Sequence, residues 1–202
     1  MATYQDSRYN IALPSGSGGA LVHIKTLTAS SSATLSFVDG SSDVVLDNTY
    51  RTYIFKFINI HPASDSVDFQ FNLSADSGSN YNVTKTTTFF RPYHQEDDGG
   101  AELQYQTGED LAQGTGFQSL ADRQDNDNDS SCAGTLHLFN PSSTTFVKHF
   151  MSVMDRVFGG SAIQANDFMA GYGNTTSAID AVQFKFSSGN IDAGTIKLYG
   201  IA

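Results

Sequence analysis

The 202-residue chain is predicted to be all-β, a jelly-roll-like two-sheet antiparallel sandwich carrying a flexible N-terminal arm. Three observations predict it. Fifteen Phe and nine Tyr, with abundant Thr, Val and Ile, suit a pleated, half-buried surface. Apolar and polar residues alternate with period two over short runs, and those runs stop at Ser, Gly, Asn and Asp clusters. No ten-residue stretch keeps a helical period, which leaves a sandwich or a barrel.

Residues 1–19 are polar and end in Leu13-Pro14-Ser15-Gly16-Ser17-Gly18-Gly19, the composition of an arm or linker ahead of one domain over 20–202. Leu21 to Thr28 alternates, with Val22, Ile24 and Thr26 expected on one face. Thr34 to Val38 places Leu35 and Phe37 together, and Val44-Val45-Leu46 reads as a short strand. Tyr50 to Ile60 is the strongest strand: Tyr53, Phe55 and Phe57 occupy one face, Ile54, Ile58 and Ile60 the other. Apolar residues on both faces mark a central strand covered on both sides, and Pro62 ends it because proline cannot donate to the ladder. Val67, Phe69, Phe71 and Leu73 alternate next, followed by a Thr-rich strand at Thr84–Phe90. Leu136 and Leu138 lead to Asn140-Pro141, and Thr145–Met154 answers them. Val182, Phe184 and Phe186 alternate with Gln183 and Lys185, Ser187-Ser188-Gly189-Asn190 turns, and Ile196 and Leu198 then alternate with Lys197 and Tyr199. That makes about nine or ten strands. Residues 91–133 break the pattern. Only Leu103 and Tyr105 alternate there, with single helical turns expected near Glu109–Ala112 and Gln118–Ala121. A connection this long is functional or mobile in most compact domains, so partner contacts are expected on it.

Composition excludes several function classes. The net charge is −10 and the eleven Lys and Arg are scattered. Nucleic acid and anionic membrane surfaces, which need a basic footprint, are therefore not expected partners. Cys132 is the single cysteine, so no intrachain disulfide forms. The N-terminus lacks the apolar stretch of a secretory signal, and synthesis in a cytoplasm is expected.

Catalytic motifs are missing from the sequence. There is no nucleophile elbow, P-loop or dinucleotide-binding glycine pattern, and the five histidines (His23, His61, His94, His137, His149) are dispersed. No catalytic residue is assigned and an enzyme is not expected. Asp125, Asp127 and Asp129 alternate within an Asp/Asn run, as at the start of a calcium loop. Ser130 and Leu136, however, stand where that loop needs its turn glycine and its bidentate glutamate. Calcium is the only cofactor for which the sequence offers ligands; the bland reading is a hydrated turn. Tyr81, Tyr93 and Tyr105, each near Asn, Asp or Glu, are candidate partner or glycan contacts, since a phenol ring stacks on sugars.

Four segments together, Tyr53–Asp65, Ser79–Phe90, Gly134–Phe150 and Ser188–Ile201, resemble virion structural proteins of tailed bacteriophages, especially those of marine bacteria. The motifs are strand and turn residues, so the resemblance carries no active site. It implies a jelly-roll-like component of the particle surface, a head decoration or a tail-fibre type protein. It would be made in the bacterial host cytoplasm and located in the virion, in contact with other virion proteins and with copies of itself, most plausibly as a trimer. The alternative is a carbohydrate- or receptor-binding sandwich module.

Overall fold

The computed structural model describes residues 21–158 and 162–202, and the expected N-terminal arm lies outside them. Twelve strands form. They are β1 (Leu21–Thr28), β2 (Leu35–Val38), β3 (Thr52–Pro62), β4 (Val67–Ser74), β5 (Lys85–Gln95) and β6 (Ala101–Tyr105). These are followed by β7 (Gln118–Gln124), β8 (Cys132–Phe139), β9 (Lys148–Phe158), β10 (Ile163–Gly173), β11 (Ala181–Phe186) and β12 (Ile191–Ile201). Among the described residues no helix forms.

Two antiparallel sheets pack as the expected sandwich. The larger runs β1-β12-β3-β8-β9-β10-β5-β6, and the smaller runs β2-β11-β4-β7. Phenylalanines join the layers. Phe55 of β3 meets Phe37 of β2 at 5.3 Å and Phe184 of β11 at 5.2 Å, while Phe57 meets Phe69 of β4 at 5.3 Å. Edge-to-face contacts of this kind add to the area the rings bury. Further along, Phe71 of β4 meets Phe150 of β9 at 5.2 Å. The connection that carries the chain from β11 in the small sheet to β12 in the large one turns through Gly189 at φ +70°, a conformation L side chains rarely adopt. At Gly134 on β8, an added Cβ would stand 2.2 Å from the Val153 carbonyl oxygen on β9, so the close approach of these two strands requires glycine.

The excursion expected at 91–133 is corrected. β5 continues to Gln95, β6 and β7 form inside the excursion, and β8 begins at Cys132. The helical turns expected near Glu109–Ala112 and Gln118–Ala121 do not form; Gln118–Gln124 is a strand paired with β4. β10, which the sequence did not reveal, is built from Ala, Asn, Asp and Gly as much as from Phe and Met. Pairing on both sides, with β9 and β5, overrides its poor intrinsic preference. Val44 and Leu46 are buried but outside any strand, the Leu46 amide donating to Asp39 Oδ1 at 2.8 Å. A bulge between His23 and Lys25 shifts the alternation of β1, so that Ile24 and Leu27 pack on the core. β3 is central, flanked by β12 and β8, but a second layer covers only one of its faces: Ile58 is 41 % exposed on the other.

Candidate interaction face

Strand pairing places specific side chains in rows across the outer side of the large sheet. One row runs Lys56, Thr135, Val153, Phe168, Phe90, Tyr105 over β3, β8, β9, β10, β5 and β6. The neighbouring row runs Ile54, His137, Met151, Ala170, Thr88. Phe90 and Phe168 stack with ring planes 4° apart and centroids 5.1 Å apart. Beside them, Leu103 of β6 is 68 % exposed and Met151 54 %. Among the described residues, the exposed large hydrophobics are Leu21, Ile58, Phe90, Leu103, Tyr105, Phe146, Met151 and Val153. Seven are outward on strands of this sheet; Phe146 borders it, sharing a shallow depression with Phe139 and His149. The outer side of the small sheet contrasts with this. There Gln183 donates to Ser36 Oγ, and Lys185 lies over the Phe117 ring.

The inner side of the same strands is unusually polar. Arg91 of β5, Asp122 of β7 and Arg156 of β9 are buried and ion-paired through both Asp122 oxygens, and Arg156 Nε donates to Asp167 Oδ2 of β10 at 2.7 Å. This lattice ties β7 of the small sheet to three strands of the large one. Burial raises the Asp167 carboxyl to about 6, against the opposing pull of Arg156. Half-buried Asp68 and Glu109 are raised for the same first reason. Lys85, fully buried, donates to Asn72 Oδ1 at 2.5 Å and to the Val83 carbonyl at 2.7 Å; burial lowers it to about 7. Lys148 donates to the carbonyls of Phe146 and Thr175 and is lowered by burial as well. Arg91, Arg123 and Arg156 line a cleft of about 240 Å³ with Tyr93, Gln95 and Gln104. Their charge is met underneath by Asp122 and Asp167, which makes the cleft the solvent side of a structural lattice.

The aspartates read as calcium ligands are placed apart in role. Asp125 is buried and its Oδ1 accepts from the Ser66 amide at 2.9 Å. Asp127 and Asp129 are exposed, and the Asp127 carbonyl accepts from the Ser130 amide at 2.8 Å, closing a turn. Among the described residues no three His, Cys, Asp or Glu side chains are positioned to share a metal ion. The three tyrosines are likewise dispersed. Tyr81 packs its hydroxyl against Gly78. Tyr93 donates to Glu102 at 3.4 Å on the cleft side, and Tyr105 donates to Asp110 Oδ2 at 2.6 Å on the opposite side of the sheet. Buried Cys132 has its thiol pushed well up by desolvation, far from the reactive thiolate form.

Phe90, Met151, Val153, Phe168 and Lys56 were not singled out from the sequence as contact residues. A signal was present for Lys56, Met151 and Val153 alone: Tyr50–Ile60 and Thr145–Met154 carry apolar residues on both faces, and in the first this called for cover on both sides. The chain supplies one cover. Compared with known proteins, it matches no protein-family model and no curated sequence.

Proposed function

We propose that this chain is a non-enzymatic structural protein that works by docking the outer side of its eight-stranded sheet against a neighbour, in the setting of a bacteriophage particle surface. The observation that carries the docking reading is the segregation of exposed large hydrophobics onto this one face. Scattered apolar residues are ordinary on a protein surface, whereas a contiguous patch with few charges marks an interaction site. The residues of the rows fit the core of an interface, where charge is depleted and aromatics and Met are enriched. The phage setting rests on the strand and turn segments that resemble virion proteins, and on a −10 charge that suits a surface component present in many copies. A glycan platform has less support, because the three candidate tyrosines lie on different sides of the molecule.

Two measurements test the two parts. Mass spectrometry of purified particles encoded by the genome that carries this chain should find it at many copies per particle; its absence overturns the phage setting. Particles assembled without the chain should bind the purified protein, and Met151→Asp with Phe168→Asp should abolish that binding. Unchanged particle binding by the double variant, together with unchanged association between copies of the chain, overturns the docking reading.

A further inference from the structure

Resting on that docking reading, we propose that the occupant of the face is a second copy of this chain, related by a two-fold axis running along the β9–β10 seam, parallel to the strands. A two-fold interface brings one patch against itself, so the patch must be self-complementary. This one is. In sheet order, the seam is the midpoint between β3 and β6, five inter-strand steps apart or about 24 Å. Rotation about it lays β9 over the partner copy's β10, β8 over its β5, and β3 over its β6.

The rows then match chemically. Met151, a long and exposed side chain, faces the small Ala170 of the other copy, which floors a depression walled by Phe90, Phe168 and Val153. Val153 faces Phe168, and each contact occurs twice. At the rim, Lys56 arrives over Tyr105 and the Asp110 carboxylate that Tyr105 holds. Lys56 and Lys197 are direct cross-strand partners, an arrangement of like charges that is unfavourable in an isolated sheet. An incoming carboxylate and phenol ring offset that repulsion. A two-fold axis perpendicular to the strands would instead stack lysines on lysines. Asp155, the carboxylate among the outward residues of β9, is held by Gln164 Nε2 at 2.6 Å and faces Asn166 of the other copy. Aligned sheets pack face to face with this near-parallel strand direction, offset by about 30° through their twist.

The test is sedimentation equilibrium of the full chain over roughly 1–100 μM, a range that resolves association of moderate affinity. The expected mass is that of two chains. Met151→Asp with Phe168→Asp should yield monomer with an unchanged circular dichroism spectrum at low temperature. Lys56→Glu should weaken the pair about tenfold or more, and adding Asp110→Lys in the same chain should restore it, since the swapped charges meet only across copies. A monomer throughout the range, a three-fold or larger species, or a pair indifferent to the double variant overturns the two-fold pairing. If the monomer still binds particles and the double variant does not, the self-pairing fails while the docking reading stands.

Discussion

The eight-stranded sheet has two halves built on opposite plans. Around β3, β8 and β12 the inner side is apolar, with Tyr53, Phe55, Phe57, Leu136, Leu138, Ile196 and Leu198 buried, and the outer side carries Lys56, Lys197, Thr135 and His137. Around β5, β9 and β10 polarity is shared differently. Lys85, Arg91, Lys148, Arg156 and Asp167 are turned in, while Phe90, Met151, Val153 and Phe168 are turned out. Against the small sheet, the first half is held mainly by hydrophobic burial. The second half is held on one side by ion pairs and buried lysines alongside the apolar Phe89, Phe150, Met154 and Met169, and its outer side presents the surface a partner needs. A strand that buries charge inward and shows apolar rings outward is fixed in register by its hydrogen bonds and ions, because apolarity alone does not say which face is in.

The largest expected effects come from breaking each half at its centre. Facing the apolar half from β11 of the small sheet, Phe184 touches Phe37, Phe55, Phe57 and Phe69, and Phe184→Ala should cost about 3–5 kcal/mol in a denaturant melt. In the polar half, Asp122→Ala strands Arg91 and Arg156 without their shared carboxylate and should cost a similar 3–5 kcal/mol. The halves should then separate on a second test. Replacing Arg91, Asp122, Arg156 and Asp167 together by Met or Leu should recover most of that loss, since well-packed apolar residues substitute for a buried ion cluster. No recovery would mean that the lattice stabilises by more than filling space.

Next in size is a dependence on pH that the polar half alone should impose. Lys85 sits at about 7 when folded against an ordinary 10.5, so between those values the unfolded chain holds a proton the folded one has released. Stability should therefore rise with pH above 7, by at most about 1.4 kcal/mol per unit from this group. Asp167 is displaced the other way, to about 6 from 3.8. Between those values the folded chain holds the extra proton, and stability should rise as pH falls through 6 toward 4. The two limbs leave a minimum near neutrality. Melting temperature measured from pH 4 to 9.5 should show it, with Lys85→Met flattening the alkaline limb and Asp167→Asn the acid one. A simple maximum at pH 6–7 in the unaltered chain would contradict both displacements.

Legibility in the sequence followed the same division. The apolar half and the small-sheet strand β11 that faces it were readable because period-two alternation and burial coincide there: Phe55 and Phe57, then Val182, Phe184 and Phe186, point where their spacing says. Lys148–Phe158 has apolar residues at both parities, so alternation alone leaves its orientation undecided. Ile163–Gly173 has Asn166 and Asp167 at its centre, and such residues read as a turn until Arg156 and the two neighbouring strands are in place. The polar stretch 91–133 looked like loop for a related reason. Arg91, Asp122 and Gln118 are core residues, and their burial depends on partners 31 positions away in sequence. The docking face combines residues from β3, β5, β6, β8, β9 and β10, a set that only the strand order brings together.

The smallest expected effect on stability is the one most informative about function. Met151→Ser removes a large side chain that the isolated chain leaves 54 % exposed, so it should shift the free energy of unfolding of the monomer by no more than about 0.5 kcal/mol. Phe186→Ala, the same kind of truncation on the covered side, should cost several-fold more, because Phe186 is 2 % exposed and packs on Phe69 at 5.4 Å. The comparison is best made by urea titration at a protein concentration low enough to keep the chain monomeric. Should Met151→Ser prove as costly as Phe186→Ala in the monomer, the outer face would be stabilising the single domain itself. The reason to assign it to a neighbour would then disappear.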